Sequence, residues 1–162
     1  MKGSYILLIE LAAEKNVLIG KLGYIFFPKA FYAYVGSAMN GLEARLARHL
    51  RKEKELHWHI DYLLKEAKLL EIILCPGEPF APCHSEGAKR PKNPAQGKLR
   101  VECFLARALA KEFQSIPGFG SSDCKCQSHL YLANEKNGLK AKVTETINQA
   151  NIAYKILPEG KS

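Results

Sequence analysis

The sequence contains no apolar run that approaches the roughly 20 residues a membrane-spanning helix needs. Its first residues, Met1-Lys2-Gly3-Ser4-Tyr5, lead directly into a strand-like pattern and lack the layout of a signal peptide. Cysteine is scarce and odd in number, with five residues, so a framework of paired disulfides is not the simplest account of them. These absences favour a cytoplasmic protein with reduced thiols.

The composition is typical of one globular domain with an excess of positive charge. The chain has 162 residues, of which 47% are hydrophobic, and a formal net charge of +8. Such a length is enough for a hydrophobic core without disulfide or metal staples. A chain this basic favours a polyanionic partner, with nucleic acid ahead of a membrane surface.

Short apolar runs in the N-terminal part predict four strands. They cover residues 4–11, 17–20, 24–27 and 31–35, and are separated by glycine or proline. Because the connections between them are short, we expect an antiparallel sheet.

Apolar residues at helical spacing predict three helices in the rest of the chain. They cover residues 41–53, about 55–67 and about 100–113. Leu69 to Leu74 reads as a strand, and residues 130–132 and 141–157 predict a peripheral strand and helix. The predicted fold class is therefore α/β of the α+β type, a small antiparallel sheet flanked by helices.

Residues 76–98 are basic and rich in proline and glycine, and they include Lys89, Arg90 and Lys92. This pattern predicts a long loop inserted into one domain of residues 1–132, with residues 133–162 as an extension packed on that domain. The loop is either a nucleic-acid contact that orders on binding or a solvated insertion.

The stretch Tyr34-Val35-Gly36-Ser37 ends an aromatic, β-branched run, and a basic helix follows it. Asn40 could cap this helix, with Glu43 completing a capping box. Arg45 and His49 are four residues apart and share a helix face. A tyrosine, an arginine and a histidine would thus meet where a glycine turn joins strand and helix, in a place suited to holding a phosphate and activating a water.

These residues resemble the motifs of the GIY-YIG nucleases. Gly3-Ser4-Tyr5 opens a first strand, Tyr34-Val35-Gly36 ends a later one, and Arg45 and His49 follow in the same order as in that family. The resemblance covers most of residues 3–132. It implies a GIY-YIG-like fold and a divalent-metal-dependent endonuclease that hydrolyses phosphodiester bonds in DNA.

The wider chain is similar to a stand-alone archaeal and bacterial branch of that family. The similar stretches are His57-Trp58-His59-Ile60-Asp61 and Gly118-Phe119-Gly120-Ser121-Ser122-Asp123-Cys124. A stand-alone nuclease of this size lacks an evident specificity domain, so we expect weakly sequence-specific or structure-selective cleavage, with DNA favoured over RNA.

The resemblance assigns roles to five residues. Tyr5 and Tyr34 lie in the site, and either could act as the base. Arg45 binds the phosphate, His49 matches a histidine of several members, and Glu102 is the ligand for Mg²⁺ or Mn²⁺. Without the resemblance, the tyrosines would be read as core aromatics and Arg45 as part of a solvated helix face.

The sequence departs from the family pattern at three places. The two tyrosine motifs are farther apart than a short hairpin permits, so an additional pair of strands is expected between them. Ser37 stands where repair-type members often have lysine. The late asparagine of the family has no clear equivalent, although Ser121 or Asp123 could substitute for it.

Further residues are candidates for supporting roles. His57, His59 and Asp61 could orient the site or bind a metal, or could hydrogen-bond locally while Trp58 packs or stacks on a base. The basic surface and the strand end supply the predicted nucleic-acid contacts, which are Gly36, Ser37, Arg48, Arg51, Lys52, Lys89, Arg90 and Lys92.

The run Cys124-Lys125-Cys126-Gln127-Ser128-His129 is similar to a zinc site, with Cys103 as a fourth ligand. The alternative is a set of small buried thiols. Two other functions therefore stand beside the nuclease: a catalytically weak nucleic-acid-binding module and a zinc-stabilised interaction protein.

Overall fold

Six strands form the central sheet within the part of the chain that the computed structural model describes, residues 2–38, 40–77, 80–82, 98–121 and 124–158. The strands are β1 (Gly3–Leu11), β2 (Lys15–Leu18), β3 (Tyr24–Phe27), β4 (Ala30–Ala38), β5 (Lys68–Pro76), β6 (Phe80–Pro82), β7 (Lys98–Arg100), β8 (Gln114–Ser115), β9 (Leu130–Ala133) and β10 (Lys155–Pro158). The helices are α1 (Leu42–Leu50), α2 (His59–Glu66), α3 (Val101–Ala110) and α4 (Lys136–Gln149), and a short 3₁₀ turn covers Gly20–Leu22.

The central sheet has the strand order β10-β5-β1-β4-β9-β8, and its neighbouring strands are antiparallel. The predicted α+β class is confirmed. Strand β1 lies between β5 and β4 and is almost entirely buried, as its nearly continuous apolar sequence requires of a strand covered on both faces.

Alternate residues of β1 enter two separate cores. Tyr5 and Leu7 pack in the core under α1, α2 and the β2–β3 hairpin, whereas Ile6 and Leu8 pack in the core with α3 and α4. Both faces of the sheet are therefore covered. Over the described residues, none of the helices combines the length and the apolarity needed to cross a bilayer.

The expected additional strand pair between the tyrosine motifs is confirmed. β2 and β3 form a separate two-stranded antiparallel sheet, which leaves β1 and β4 free to pair directly with each other. In that pairing Tyr5 faces Gly36 across the strands, so the two motifs lie side by side despite their distance along the chain.

The prediction of a turn at Gly36 is wrong, because β4 continues to Ala38. Gly36 is required for a different reason. A Cβ atom added there would lie 2.5 Å from Cζ of Tyr5, so only glycine lets the tyrosine ring lie across the neighbouring strand.

Helix α1 is shorter than the predicted range of 41–53, and Asn40 does not cap it. The residue before the helix is Gly41, which has φ 129° and makes no side-chain cap. The helix ends at Leu50, and Lys54 donates to the carbonyl oxygens of Arg48 and His49, at 3.2 Å each. A lysine that binds the last carbonyls of a helix stabilises its end.

Helix α2 starts at His59, later than the predicted residue 55, because Asp61 fixes its first turn. One Asp61 oxygen accepts hydrogen bonds from the backbone N–H groups of His57 and Trp58, at 3.0 and 2.9 Å. His57 therefore precedes the helix and does not share a helix face with Asp61, in contrast to the expectation from their spacing.

The C-terminal part differs from the predicted peripheral strand and helix. β9 lies inside the sheet between β4 and β8, and the helix covers Lys136–Gln149, with β10 added at the sheet edge. Leu139, Val143 and Ile147 at four-residue spacing bury one face of α4 in the second core. Strands β6 and β7 pair with each other, and most of the predicted loop of residues 76–98 lies outside the described residues.

We expect Asp61→Asn to lower the free energy of unfolding by about 3–5 kcal/mol, because it removes the partner of buried charges. Asp61 is fully buried, and its carboxylate lies 2.7 Å from Arg48 and 3.8 Å from Lys54. The measurement is urea denaturation at neutral pH. The control is Glu66→Gln, which breaks the exposed pair with Lys15 and should change stability by less than about 1 kcal/mol. Equal effects of the two substitutions would contradict this role of Asp61.

Candidate functional site

A cleft of about 480 Å³ opens where the end of β4, the helix α1 and the start of α3 meet the segment before α2. It brings together Tyr34, Arg45 and Glu102, which are far apart in the sequence. The lining residues are Tyr34, Gly36, Ser37, Asn40, Arg45, His57, Trp58, His59, Arg100, Glu102 and Gly120.

Arg45 is held in the cleft by two contacts. Its guanidinium donates to the carbonyl oxygen of Ser37 at 3.1 Å, and its Cζ lies 4.1 Å from the centre of the Trp58 ring. A guanidinium over an indole face is stabilised by the negative potential of the ring. These contacts orient a permanently charged, fork-shaped donor in the wall of the cleft.

Arg48 lies on the other side of Trp58 and is held inside the protein. Its Cζ is 4.4 Å from the ring centre, and its guanidinium binds the Asp61 carboxylate at 2.7 Å and the Glu55 carbonyl oxygen at 2.9 Å. Burial disfavours the Asp61 charge, but hydrogen bonds from Trp58, His57 and Arg48 together hold its pKa below the usual value. Asp61 thus supports Arg45 indirectly, through Arg48 and the shared indole.

The two motif tyrosines occupy different positions. Tyr34 lines the cleft, whereas Tyr5 is fully buried behind Gly36, and their ring centres are 6.4 Å apart. The Tyr5 hydroxyl is hydrogen-bonded to Nε2 of His49 at 2.7 Å, and the nearby charge of Arg45 acts on the same hydroxyl.

Burial controls the protonation of Tyr5, Tyr34 and His49. It raises the pKa of Tyr5 to about 12, against the opposing effect of Arg45, and it raises the pKa of Tyr34 well above the usual value. Burial, together with the charge of Lys54, lowers the pKa of His49 to about 3. Both shifts disfavour proton transfer from Tyr5 to His49, so the pair is a neutral hydrogen bond that fixes geometry.

His59 is tied to the segment that contains Gly120. Its Nδ1 accepts a hydrogen bond from the Gly120 N–H at 2.8 Å, which places the proton of the neutral ring on Nε2. Burial lowers the pKa of His59 and so favours this neutral form. Gly120 has φ +70°, and a Cβ atom there would lie 2.9 Å from the Tyr34 ring.

Glu102 lies in the first turn of α3, and only 7% of it is exposed. One oxygen is 3.1 Å from the Arg100 guanidinium, and the other is 3.7 Å from Nδ1 of His129. The helix N-terminus also favours a negative charge at this position. A single carboxylate in a polar cleft is a donor set that suits a hard, mostly hydrated cation such as Mg²⁺.

A second cluster lies beside Glu102, whose carboxylate contacts His129 of the cluster. Its members are Cys103, Cys124, Cys126 and His129, whose ligand atoms all lie within 4.8 Å of one another. Three thiols and an imidazole in this arrangement could bind a metal such as zinc. The predicted grouping of these four residues is thus confirmed, and Cys103 supplies the contact from a distant part of the chain.

A groove of about 840 Å³ has His49 in its lining. Basic and apolar side chains of the α1–α2 connection, of α2 and of the start of β5 line it. The basic ones are Arg51, Lys52, Lys54, Lys65 and Lys68, and the acidic ones are Glu53 and Asp61.

The structure brings many of the predicted site residues into or directly behind the cleft, but five described candidates lie elsewhere. Arg48 and Asp61 pair with each other away from it, and Ser121 is buried beside Cys124. Arg51 and Lys52 line the neighbouring groove instead. The remaining candidates, Lys89, Arg90, Lys92 and Asp123, lie outside the described residues.

Sequence reasoning missed Arg100 and the contact of Trp58 with Arg45. Arg100 lies two residues before Glu102, and this spacing at a helix start was the available signal for the pair. The Trp58 contact had no local signal, because it joins α1 to a separate segment.

We expect His49 to make stability depend on pH. Its pKa is about 3 in the folded protein and 6.5 in the unfolded chain, so the unfolded state binds more protons between these values. Stability should fall as pH is lowered through this window, by up to about 1.4 kcal/mol per pH unit from this residue. Denaturation curves of the wild type and His49→Gln test this, because the variant should lose that part of the slope. Parallel slopes between pH 6.5 and pH 4 would show that His49 is not held neutral.

Comparison with known proteins identifies the family to which the chain belongs. No curated protein and no solved structure matches the chain. The family model described as "Domain of unknown function DUF123" matches residues 4–152, which is well over half of the chain. The protein therefore belongs to the DUF123 family.

Proposed function

We propose that this protein is a divalent-metal-dependent endonuclease that hydrolyses phosphodiester bonds in DNA, with an active site of the GIY-YIG type. The observation that carries the proposal is the convergence of Tyr34, Arg45 and Glu102 in one cleft. These three side chains offer a hydroxyl, a phosphate-binding cation and a metal-binding carboxylate, as the resemblance to GIY-YIG nucleases implies for them.

Arg45 binds a non-bridging phosphate oxygen in this proposal. Its guanidinium is already oriented by Ser37 and Trp58, so little conformational entropy is lost when a phosphate binds. As charge builds up on the phosphate oxygens in the transition state, a preorganised cation stabilises that state more than the ground state. Arg100 lies in the same cleft and supplies a second positive charge.

Glu102 would hold Mg²⁺ or Mn²⁺, and the cation would act as a Lewis acid on the phosphate. Glu102 fits this role because its carboxylate, an oxygen donor, lines the cleft. Glu102 would share its carboxylate between the cation and Arg100, which lies in the same cleft. A zinc ion in the Cys103 cluster would be structural in this proposal.

Tyr34 is the tyrosine that contacts the attacking water. It lines the cleft, while Tyr5 is fully buried and has no access to solvent. Tyr5 is a positioning residue, which holds His49 through its hydroxyl. The raised pKa of Tyr34 means that its deprotonation requires the positive charges of the bound cation and of Arg45.

The groove that includes His49 and five basic residues in its lining supports a nucleic-acid partner. Its cationic residues lie next to the cleft, where they would contact phosphates on one side of the cleaved bond. Contacts of this kind position the strand and carry no sequence information, which agrees with weakly specific or structure-selective cleavage.

A nucleic-acid-binding module without catalysis is the alternative function. The 3.1 Å pair of Arg100 with Glu102 favours this alternative, because the arginine satisfies the carboxylate without a metal ion. The zinc-stabilised interaction protein remains a third candidate, favoured by the Cys103 cluster. Metal-dependent cleavage distinguishes the nuclease from both.

We expect the wild type to cleave supercoiled, single-stranded or branched DNA with Mg²⁺ or Mn²⁺, and Glu102→Gln to reduce the rate by at least about a hundredfold. Binding of DNA without divalent metal should persist, because the substitution removes a negative charge and keeps the side-chain size. The rate is measured by gel assay, and binding by fluorescence anisotropy.

The matched control is Glu112→Gln, which neutralises an exposed carboxylate just after α3 and outside the cleft. It should cleave like the wild type. Equal activity of wild type and Glu102→Gln would remove Glu102 from the site, and binding without cleavage of any substrate would establish the binding module instead.

We expect the double variant Lys52→Gln/Lys65→Gln to bind DNA more weakly. The slope of log K against log salt should also become shallower, by about 1 for each phosphate that the variant no longer neutralises. Both lysines are exposed in the lining of the groove. Lys155→Gln, on the edge strand β10 and outside the groove, is the control. If Lys155→Gln weakens binding as much as one of the two groove substitutions does, DNA does not bind along the groove.

A further inference from the structure

The cluster of Cys103, Cys124, Cys126 and His129 has the geometry of a structural zinc site. Tetrahedral zinc keeps sulfur and nitrogen ligands roughly 3.6 to 3.8 Å apart. Nε2 of His129 is 3.3 Å from the Cys124 sulfur and 4.0 Å from the Cys103 sulfur, and the four ligand atoms lie within 4.8 Å of one another. Small side-chain movements would thus complete the site.

His129 is oriented as a metal ligand. Its Nδ1 is 3.1 Å from the carbonyl oxygen of Val35 and donates to it, so Nε2 carries the lone pair that faces the sulfurs. Metal-binding histidines commonly donate their second N–H to a carbonyl or carboxylate in this way. His129 is also 1% exposed, so its orientation is fixed by packing.

The cluster joins parts of the chain that also build the cleft. Cys103 follows Glu102 on α3, while Cys124, Cys126 and His129 lie in the segment after Gly120. The backbone N–H of His129 donates to the carbonyl oxygen of Phe119 at 2.8 Å, and the backbone N–H of Val35 donates to the carbonyl oxygen of His129 at 2.9 Å. A bond from a metal to Cys103 would tie the first turn of α3 to this segment.

We propose that these four residues bind one zinc ion and that the ion fixes the position of Glu102 in the cleft. In the described part of the chain, Arg100 and His129 contact the Glu102 carboxylate, and the backbone of α3 carries it. Zinc would constrain two of these three anchors, His129 directly and the α3 backbone through Cys103. The effect on cation binding rests on the proposed function of Glu102, whereas zinc binding itself does not.

Zinc binding is tested on the full chain, purified in reducing buffer without chelator. We expect about one zinc ion per chain by mass spectrometry of metals, and less than about a tenth of that in Cys126→Ala. Cys75→Ala is the matched control, because Cys75 is a buried thiol on β5 outside the cluster. A zinc-free wild type that also fails to bind added Zn²⁺ or Co²⁺, or full zinc content in Cys126→Ala, would overturn the proposal.

The positioning of Glu102 is tested on wild-type protein alone, before and after zinc is stripped with a chelator. Hydrogen exchange of residues 101–105 should become at least about tenfold faster on stripping, and zinc should restore it. Mn²⁺ affinity, followed by electron paramagnetic resonance, should fall at least about tenfold in parallel. Unchanged exchange would overturn the positioning role. If exchange responds while the zinc-loaded protein binds no Mn²⁺, zinc positioning stands and the proposed cation site at Glu102 fails.

Discussion

The antiparallel pairing of β1 with β4 is the constraint on which the site depends. It places Gly36 opposite Tyr5, and the missing side chain at Gly36 leaves the space that the Tyr5 ring fills. The buried hydroxyl is then hydrogen-bonded to His49 of α1, so the helix is fixed against the strand end. A shift of one residue in this register would turn Tyr5 to the other core and remove this contact.

A chain of charged and aromatic contacts extends this arrangement to Arg45. The buried Asp61 fixes the start of α2 and holds Arg48, and the Trp58 ring lies between Arg48 and Arg45. Such buried charge pairs contribute little net stability compared with apolar packing. Their effect here is geometric, since they orient a guanidinium in a cleft where a phosphate would bind.

Local signals in the sequence predicted β1 to β5, α1 to α3 and the individual candidates, because each depends on spacing or composition. The helix predicted over residues 141–157 was placed too late, because the buried face of α4 begins at Leu139 and β10 occupies residues 155–158. The Asn40 cap and the Gly36 turn were wrong for a shared reason. Both were inferred from preferences of single residues, and the tertiary contacts of Tyr5 and the left-handed Gly41 decided the backbone instead. Contacts between distant segments, such as the packing of Arg45 on Trp58 and the Gly120–His59 hydrogen bond, have no local pattern from which they could be predicted.

The most direct test of the account is anomalous diffraction from crystals of the zinc-loaded protein grown with a short DNA and Mn²⁺. We expect an Mn²⁺ peak beside Glu102 and a phosphate within hydrogen-bonding distance of Arg45. DNA bound on another face, with no Mn²⁺ in the cleft, would contradict it.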